Sequence, residues 1–167
     1  IKAYEKSGHC KIPVIAAGGL YTGEDIYRLM QLGATGVQLG SKFVTTEECD
    51  ASPVFKQAYI DAGQSDIEII TSPVGMPGRA ISGEFTRKVK SGSEKPRRCA
   101  FHCIKTCDYT KSPYCIIKAL YNAAKGNMQK GYAFAGANAY LSQKIVSVRE
   151  TIDTLKKEFM QAKESVK

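Results

Sequence analysis

The sequence is poor in the groups that usually mark a self-sufficient active site. Histidine occurs only at His9 and His102, and neither belongs to a His-rich metal motif. There is no nucleophile elbow, so acyl-transfer chemistry on an activated serine has no visible nucleophile. No apolar run approaches the roughly 18 residues of a membrane span, and no charged-apolar-small pattern reads as a secretory leader. A membrane partner is therefore not expected. Without a secretory signal, the six cysteines are expected as thiols in a reducing compartment, with the cytoplasm as the default location. Acidic residues are also scarce: 16 Asp and Glu against 24 Lys and Arg give a formal net charge of +8. Most of the excess lies between Thr86 and Lys111, where Arg87, Lys88, Lys90, Lys95, Arg97, Arg98, Lys105 and Lys111 face only Glu94 and Asp108. No nucleic-acid motif accompanies this segment. It reads as a solvated loop or a surface for an anionic substrate or cofactor, and a nucleic-acid partner is not expected.

What is present is organised around Pro13-Val14-Ile15-Ala16-Ala17-Gly18-Gly19 and, further on, Gly36-Val37-Gln38-Leu39-Gly40-Ser41-Lys42-Phe43. Each reads as a short apolar strand ending in glycine. The first, Ile12 to Ala17, lacks polar alternation and so predicts a strand buried on both faces. Between them Thr22 is an N-cap with Asp25 at the third helical position, and Ile26, Leu29 and Met30 form a helical face. In a right-handed β-α-β unit both glycine ends emerge at the carboxyl edge of the sheet. Bare N–H groups can approach a phosphate closely there, because glycine has no Cβ. Gly18, Gly19, Gly40 and Ser41 would donate backbone N–H groups, Ser41 also its hydroxyl, and Lys42 charge; tight structural turns are the plain alternative. In a (β/α)8 barrel the loops after the last two strands commonly form such a site.

A complete barrel typically needs about 250 residues, and this chain has 167 and begins at Ile1. A lone β-α-β unit cannot bury both sheet faces, so the chain is expected to be part of a longer protein, and poorly soluble alone because the edge strand lacks a neighbour. Ile1 to Gly8 reads as the last turns of a helix with a glycine C-cap. Downstream, Ser52-Pro53 opens a helix through Phe55, Ala58, Tyr59 and Ile60, ended by Gly63. Asp66 to Thr71 reads as an extra strand. Ser72 to Arg79 is a turn-rich loop whose only charge, Arg79, is a surface residue or an anion clamp. Thr86 to Lys111 should be loop-rich. Ser112-Pro113 predicts a helix start, with Ile116, Ile117, Leu120 and Ala123 apolar and a stop at Gly126. Tyr132 to Tyr140 is rich in small residues, and the last helix starts at Ser147 with Glu150 completing a capping box.

A second candidate site is Cys99-x3-Cys103-x3-Cys107-x7-Cys115, with His102 inside it. Thiolates at this density could ligate zinc or an iron–sulfur cluster, although the paired C-x2-C knuckle is missing. On a helix the first three would share one face, which suits packing as well. No general base is visible; His9 precedes its strand, at the amino edge.

These motifs, with Glu47-Glu48-Cys49, Pro73-Val-Gly-Met-Pro-Gly-Arg79 and Gly136-Ala-Asn-Ala-Tyr140, resemble the carboxyl-terminal half of the nitronate monooxygenase (2-nitropropane dioxygenase) family, related to the flavin-dependent enoyl-[acyl-carrier-protein] reductases. The resemblance implies the last two strands of an FMN-binding (β/α)8 TIM barrel in residues 1–47. Residues 48–146 would form a small, partly helical cap carrying the cysteines, and 147–167 a helix packing back on the barrel. It implies Gly18, Gly19, Gln38, Leu39, Gly40, Ser41 and Lys42 as FMN contacts; the family's usual Gly-Thr-Arg is here Gly40-Ser41-Lys42, keeping a hydroxyl and a charge but losing the Arg fork. The catalytic histidine of that family lies before this segment, so no catalytic residue is assigned here. The implied reaction is oxidation of an alkyl nitronate with O2, requiring the missing amino-terminal barrel half. An NAD(P)H-dependent enoyl reductase and a metal-stabilised binding module are the alternatives.

Overall fold

The structure, a computed structural model, describes residues 5–8, 10–96, 98–99, 101–105 and 107–166. Strand β1 (Ile15–Ala17) pairs in parallel with β2 (Gly36–Gln38), in the register Ile15 to Gly36 and Ala17 to Gln38. Helix α1 (Gly23–Gln31) connects them. The Thr22 hydroxyl accepts from Asp25 N, and the Asp25 carboxylate accepts from the N–H groups of Tyr21 and Thr22, so the expected reciprocal cap is formed. Gly8, with φ 88°, follows a short helical end as a C-cap glycine does; His9 lies outside the described residues.

The strand differs from expectation in length and burial. Pairing covers Ile15 to Ala17 only, and Ile12, Val14 and Ile15 are 43%, 36% and 56% exposed. A sheet of two strands covers neither face completely, so the apolar run remains open to solvent within this chain.

After the four-residue helix α2 (Ser41–Val44), the chain runs beside Val146: Glu47 N donates to Val146 O and Val146 N to Thr45 O. Helix α3 (Pro53–Asp61) starts as expected, with Ser52 accepting from Phe55 N and proline in the first turn. Its Lys56 is buried and donates from Nζ to the carbonyls of Thr46 (2.6 Å) and Glu47 (3.2 Å), tying α3 to the turn after α2. Strands β3 (Ile67–Ile70) and β4 (Gly78–Ile81) are antiparallel, and residues 133–135 extend this sheet through Ile81 N to Ala133 O and Ala135 N to Arg79 O. Arg79 thus sits in a strand rather than in the preceding loop, and its side chain is exposed.

Two further differences lie downstream. Helix α4 (Glu84–Lys90) occupies the start of the segment expected as loop. Helix α5 (Ile116–Ala124) begins three residues after Pro113. Tyr114 is drawn inward instead, 2% exposed, edge-on to Phe85 and Tyr132, with its hydroxyl donating to Tyr132 Oη at 3.1 Å. Burying that ring outweighs a local helix start.

Helix α6 (Val148–Ser165) packs on α1. Ser147 accepts from Glu150 N, but the Glu150 carboxylate pairs with Lys144 at 2.9 Å, so only half of the expected capping box is made. The contact is close because Gly23 has no side chain: a Cβ there would lie 2.1 Å from Leu155 O. Gly23 N donates to Glu158 Oε2 at 2.7 Å, and Tyr27 meets Phe159 edge-on. No helix among the described residues is long and apolar enough to cross a membrane.

Candidate functional site

Because β1 and β2 run parallel in register, Gly18-Gly19 and Leu39-Gly40 leave the sheet side by side at its carboxyl edge. Gly18 and Gly19 have φ of 86° and 69°, a left-handed pair that side chains rarely tolerate. A Cβ placed on Gly18, Gly19 or Gly40 would meet nothing within 4 Å. The backbone here borders open space, with no neighbour to forbid a side chain and no side chain to fill it.

A third segment joins the two turns. Gly136 N donates to Ser41 Oγ at 2.7 Å, and Asn138 Nδ2 donates to Gly19 O at 2.9 Å. Glycine at 136 eases this approach, since a Cβ there would lie 3.1 Å from Ser41 Oγ, a tight contact. The Gly136-Ala137-Asn138 run therefore spans the mouth between the glycine turns. Ser41 accepts through its oxygen and keeps its own O–H to donate.

Lys42 is placed differently from the simplest sequence reading. Its ammonium stands 4.2 Å from the centroid of the Tyr21 ring, a cation–π geometry. Burial lowers its pKa below the ordinary lysine value, while Glu158 and Asp25 pull it back up. Tyr21 is itself buried, bonded to Ser142 Oγ at 2.8 Å, and burial raises its phenol pKa. Gln38 is exposed and Leu39 half-buried at the strand end.

The cysteines do not lie on a helix. Among the described residues, 92–115 form no helix or strand. Cys99, Cys103, Cys107 and Cys115 nevertheless line one cavity together with His102. Among the described residues no group of three or more His, Cys, Asp or Glu is gathered closely enough to hold a single metal ion. Of the two ligations that their spacing suggested, zinc or an iron–sulfur cluster, no preformed site for a zinc ion is present among the described residues. His102 is exposed and remote in sequence from the glycine turns.

A parallel β-α-β unit with a glycine-lined carboxyl edge defines an α/β protein of the type that binds ligands at strand ends. Comparison with known proteins agrees. The nitronate monooxygenase family model matches residues 2–158, and the chain belongs to that family, one of flavin-dependent oxidoreductases. Among curated proteins, a probable nitronate monooxygenase of Staphylococcus saprophyticus is 40% identical over 78 residues, 47% of this chain and 22% of that protein. A Mycobacterium tuberculosis (3aS,4S,5R,7aS)-5-hydroxy-7a-methyl-1-oxo-octahydro-1H-indene-4-carboxyl-CoA dehydrogenase is 37% identical over 82 residues, 49% of this chain and 23% of that protein. Among solved structures, FabK from Thermotoga maritima superposes with a TM-score of 0.75 at 28% identity, over 97% of this chain and 49% of FabK. Nitroalkane oxidase from Streptomyces ansochromogenes superposes at 0.70 and 22% identity, over 95% of this chain and 42% of that enzyme, a likeness of fold. The chain thus spans less than half of the solved relatives and under a quarter of these curated ones.

Proposed function

We propose that this chain is the carboxyl-terminal portion of an FMN-dependent nitronate monooxygenase, contributing the last two strands of a (β/α)8 barrel and a small cap. In this reading residues 1–47 belong to the barrel, 48–146 to the cap and 147–167 to a helix returning to the barrel. The observation that carries it is the convergence of Gly18-Gly19 and Gly40-Ser41 on open space at one strand edge, braced by Gly136 and Asn138.

The donor set fits a flavin phosphate. A dianionic phosphate needs several N–H donors and a close backbone approach; Gly18, Gly19 and Gly40 offer N–H groups with no Cβ in the way, and Ser41 adds its own N–H. The Ser41 hydroxyl remains free to donate to a phosphate oxygen, while Gln38 and Leu39 line the approach. Lys42, held over Tyr21, would act through its field rather than by direct contact. FMN supplies the redox chemistry when bound. This chain's share is to fix the phosphate, and through it the orientation of the ring, and to cover the site from the cap. The proton-handling histidine would come from the amino-terminal barrel half, so this segment alone would be inactive. The substrates would be an alkyl nitronate and O2.

An NAD(P)H-dependent enoyl-[acyl-carrier-protein] reductase is the second reading, favoured by the FabK superposition. Flavin released by heat from the full-length protein and identified by chromatography tests what both readings share. FMN at near one equivalent is expected, with sharply reduced content in Gly40→Val. If the full-length protein supplied with FMN retains none, the cradle is a structural turn and the proposal is wrong.

A further inference from the structure

Among the described residues of 92–113 none lies in a helix or strand and none is buried; Phe101 is 52% and Tyr109 39% exposed. A loop this long is uncommon in a compact domain unless something fastens it or it has a function. The hydrogen bonds recorded for it are mostly local, such as Cys107 N to Ile104 O at 3.1 Å and Ser112 N to Asp108 O at 3.0 Å. Among its described residues neither a core nor a hydrogen-bond ladder accounts for its path.

Thiols do converge on it. Cys99, Cys103, Cys107 and Cys115 line a single cavity of about 250 Å³, walled in part by Val74, Ile104 and Tyr114, with Arg98 and Lys105 also on its surface. His102 N donates to Cys99 Sγ at 3.3 Å. To do so, His102 takes φ 44°, the one positive φ of a non-glycine residue among those described. Hydrogen bonds from N–H groups to thiolate sulfur are among the contacts that tune sulfur-bound iron.

The choice of occupant follows from spacing and charge. A lone tetrahedral ion needs its ligands gathered at one point, and the described residues contain no such group. A polynuclear cluster binds each thiolate at a different iron, so its four sulfurs stand apart around a shared volume. Four thiolates on such a cluster leave a net negative charge, which the Arg98 and Lys105 side chains would offset. We propose that Cys99, Cys103, Cys107 and Cys115 ligate an iron–sulfur cluster that fastens this loop to the cap. Ligation is an exchange without change of oxidation state: each thiol loses its proton to solvent, and its sulfur replaces an exchangeable ligand of a preformed cluster. The proposal does not depend on the flavin reading.

The test is anaerobic transfer of a synthetic, small-thiolate-ligated [4Fe–4S] cluster to the reduced full-length protein, followed by desalting. Iron and acid-labile sulfide should be retained at about four each per chain. Dithionite reduction should give a fast-relaxing electron paramagnetic resonance signal visible only at cryogenic temperature, which a flavin radical does not give. The four cysteines should resist alkylation in the loaded protein while exposed Cys10 still reacts. Cys103→Ser should lose most of the iron and Cys10→Ser should keep it. Iron below one-tenth per chain, equal iron in Cys103→Ser, or disulfides among the four in anaerobically purified protein would each overturn the proposal. Because alkylation is read on the wild-type chain, misfolding of a variant cannot conceal the answer.

Discussion

Replacing Gly23 by alanine is the sharpest perturbation of the way α6 closes on α1. The new Cβ would lie 2.1 Å from Leu155 O, 2.4 Å from Phe159 N and 2.7 Å from Glu158 Cβ. The first two are backbone atoms of a helix and cannot rotate away. Ordinary carbon–oxygen contacts are about 3.3 Å or longer, so the helices must separate by about 1 Å. Overpacking of this kind costs about 1–3 kcal/mol. Separation also stretches the charge-assisted bond from Gly23 N to Glu158 Oε2, now 2.7 Å, worth about 1.5–3 kcal/mol. Alanine's better helix propensity returns at most about 1 kcal/mol. A net loss of about 2–4 kcal/mol is expected, read as the change in urea-unfolding free energy of the full-length protein followed by circular dichroism. Glu158→Gln, which weakens the bond without adding volume, should lose only about 1 kcal/mol. If Gly23→Ala unfolds within about 0.5 kcal/mol of wild type, the close approach described here does not hold α6 in place.

Other consequences are equally direct. Ser41→Ala removes the acceptor for Gly136 N and a phosphate donor, and should weaken FMN binding by about 5–30-fold in a fluorescence titration. For Asp25, burial is the largest influence and raises its pKa, but the N–H groups of Tyr21 and Thr22, the Thr22 hydroxyl and Arg28 together bring it below the ordinary 3.8. A carboxylate with a depressed folded pKa stabilises above its unfolded pKa and loses that contribution as pH falls through the folded one. Asp25→Asn should therefore cost about 1 kcal/mol at pH 7, and its difference from wild type should shrink in unfolding measured below about pH 4. Tyr59 is buried, with its phenol pKa raised by burial, and donates to Phe134 O. Tyr59→Phe should lower the unfolding free energy by about 1–2 kcal/mol with little effect on flavin content.

Local chemistry was legible in the sequence and distant contacts were not. Thr22 and Asp25 form their cap because both partners lie within one helical turn. The parallel pairing of β1 with β2 followed from two glycine-ended apolar runs flanking an amphipathic helix. By contrast, Tyr114 leaves its expected helix for Phe85 and Tyr132, residues that no local pattern connects to it. The need for glycine at Gly23 arises from a helix about 130 residues later in the chain. The brace across the glycine turns was half visible: Gly136-Ala-Asn-Ala-Tyr140 stood out as a small-residue run, yet nothing indicated that Asn138 would bond Gly19 or Gly136 would bond Ser41. The segment of Cys99, Cys103 and Cys107 was expected to be loop-rich, and spacing alone gave these cysteines a common face only if they lay on a helix; the chain collects them with Cys115 on one cavity wall without a helix.

The central claim is that the glycine turns hold a flavin used to oxidise nitronates. The most direct measurement is the visible spectrum of the full-length protein during anaerobic titration with an alkyl nitronate, followed by air. The account predicts a two-band flavin spectrum that bleaches with the nitronate and returns on aeration. A flavin spectrum indifferent to nitronate but bleached by NAD(P)H would contradict it and establish a reductase instead.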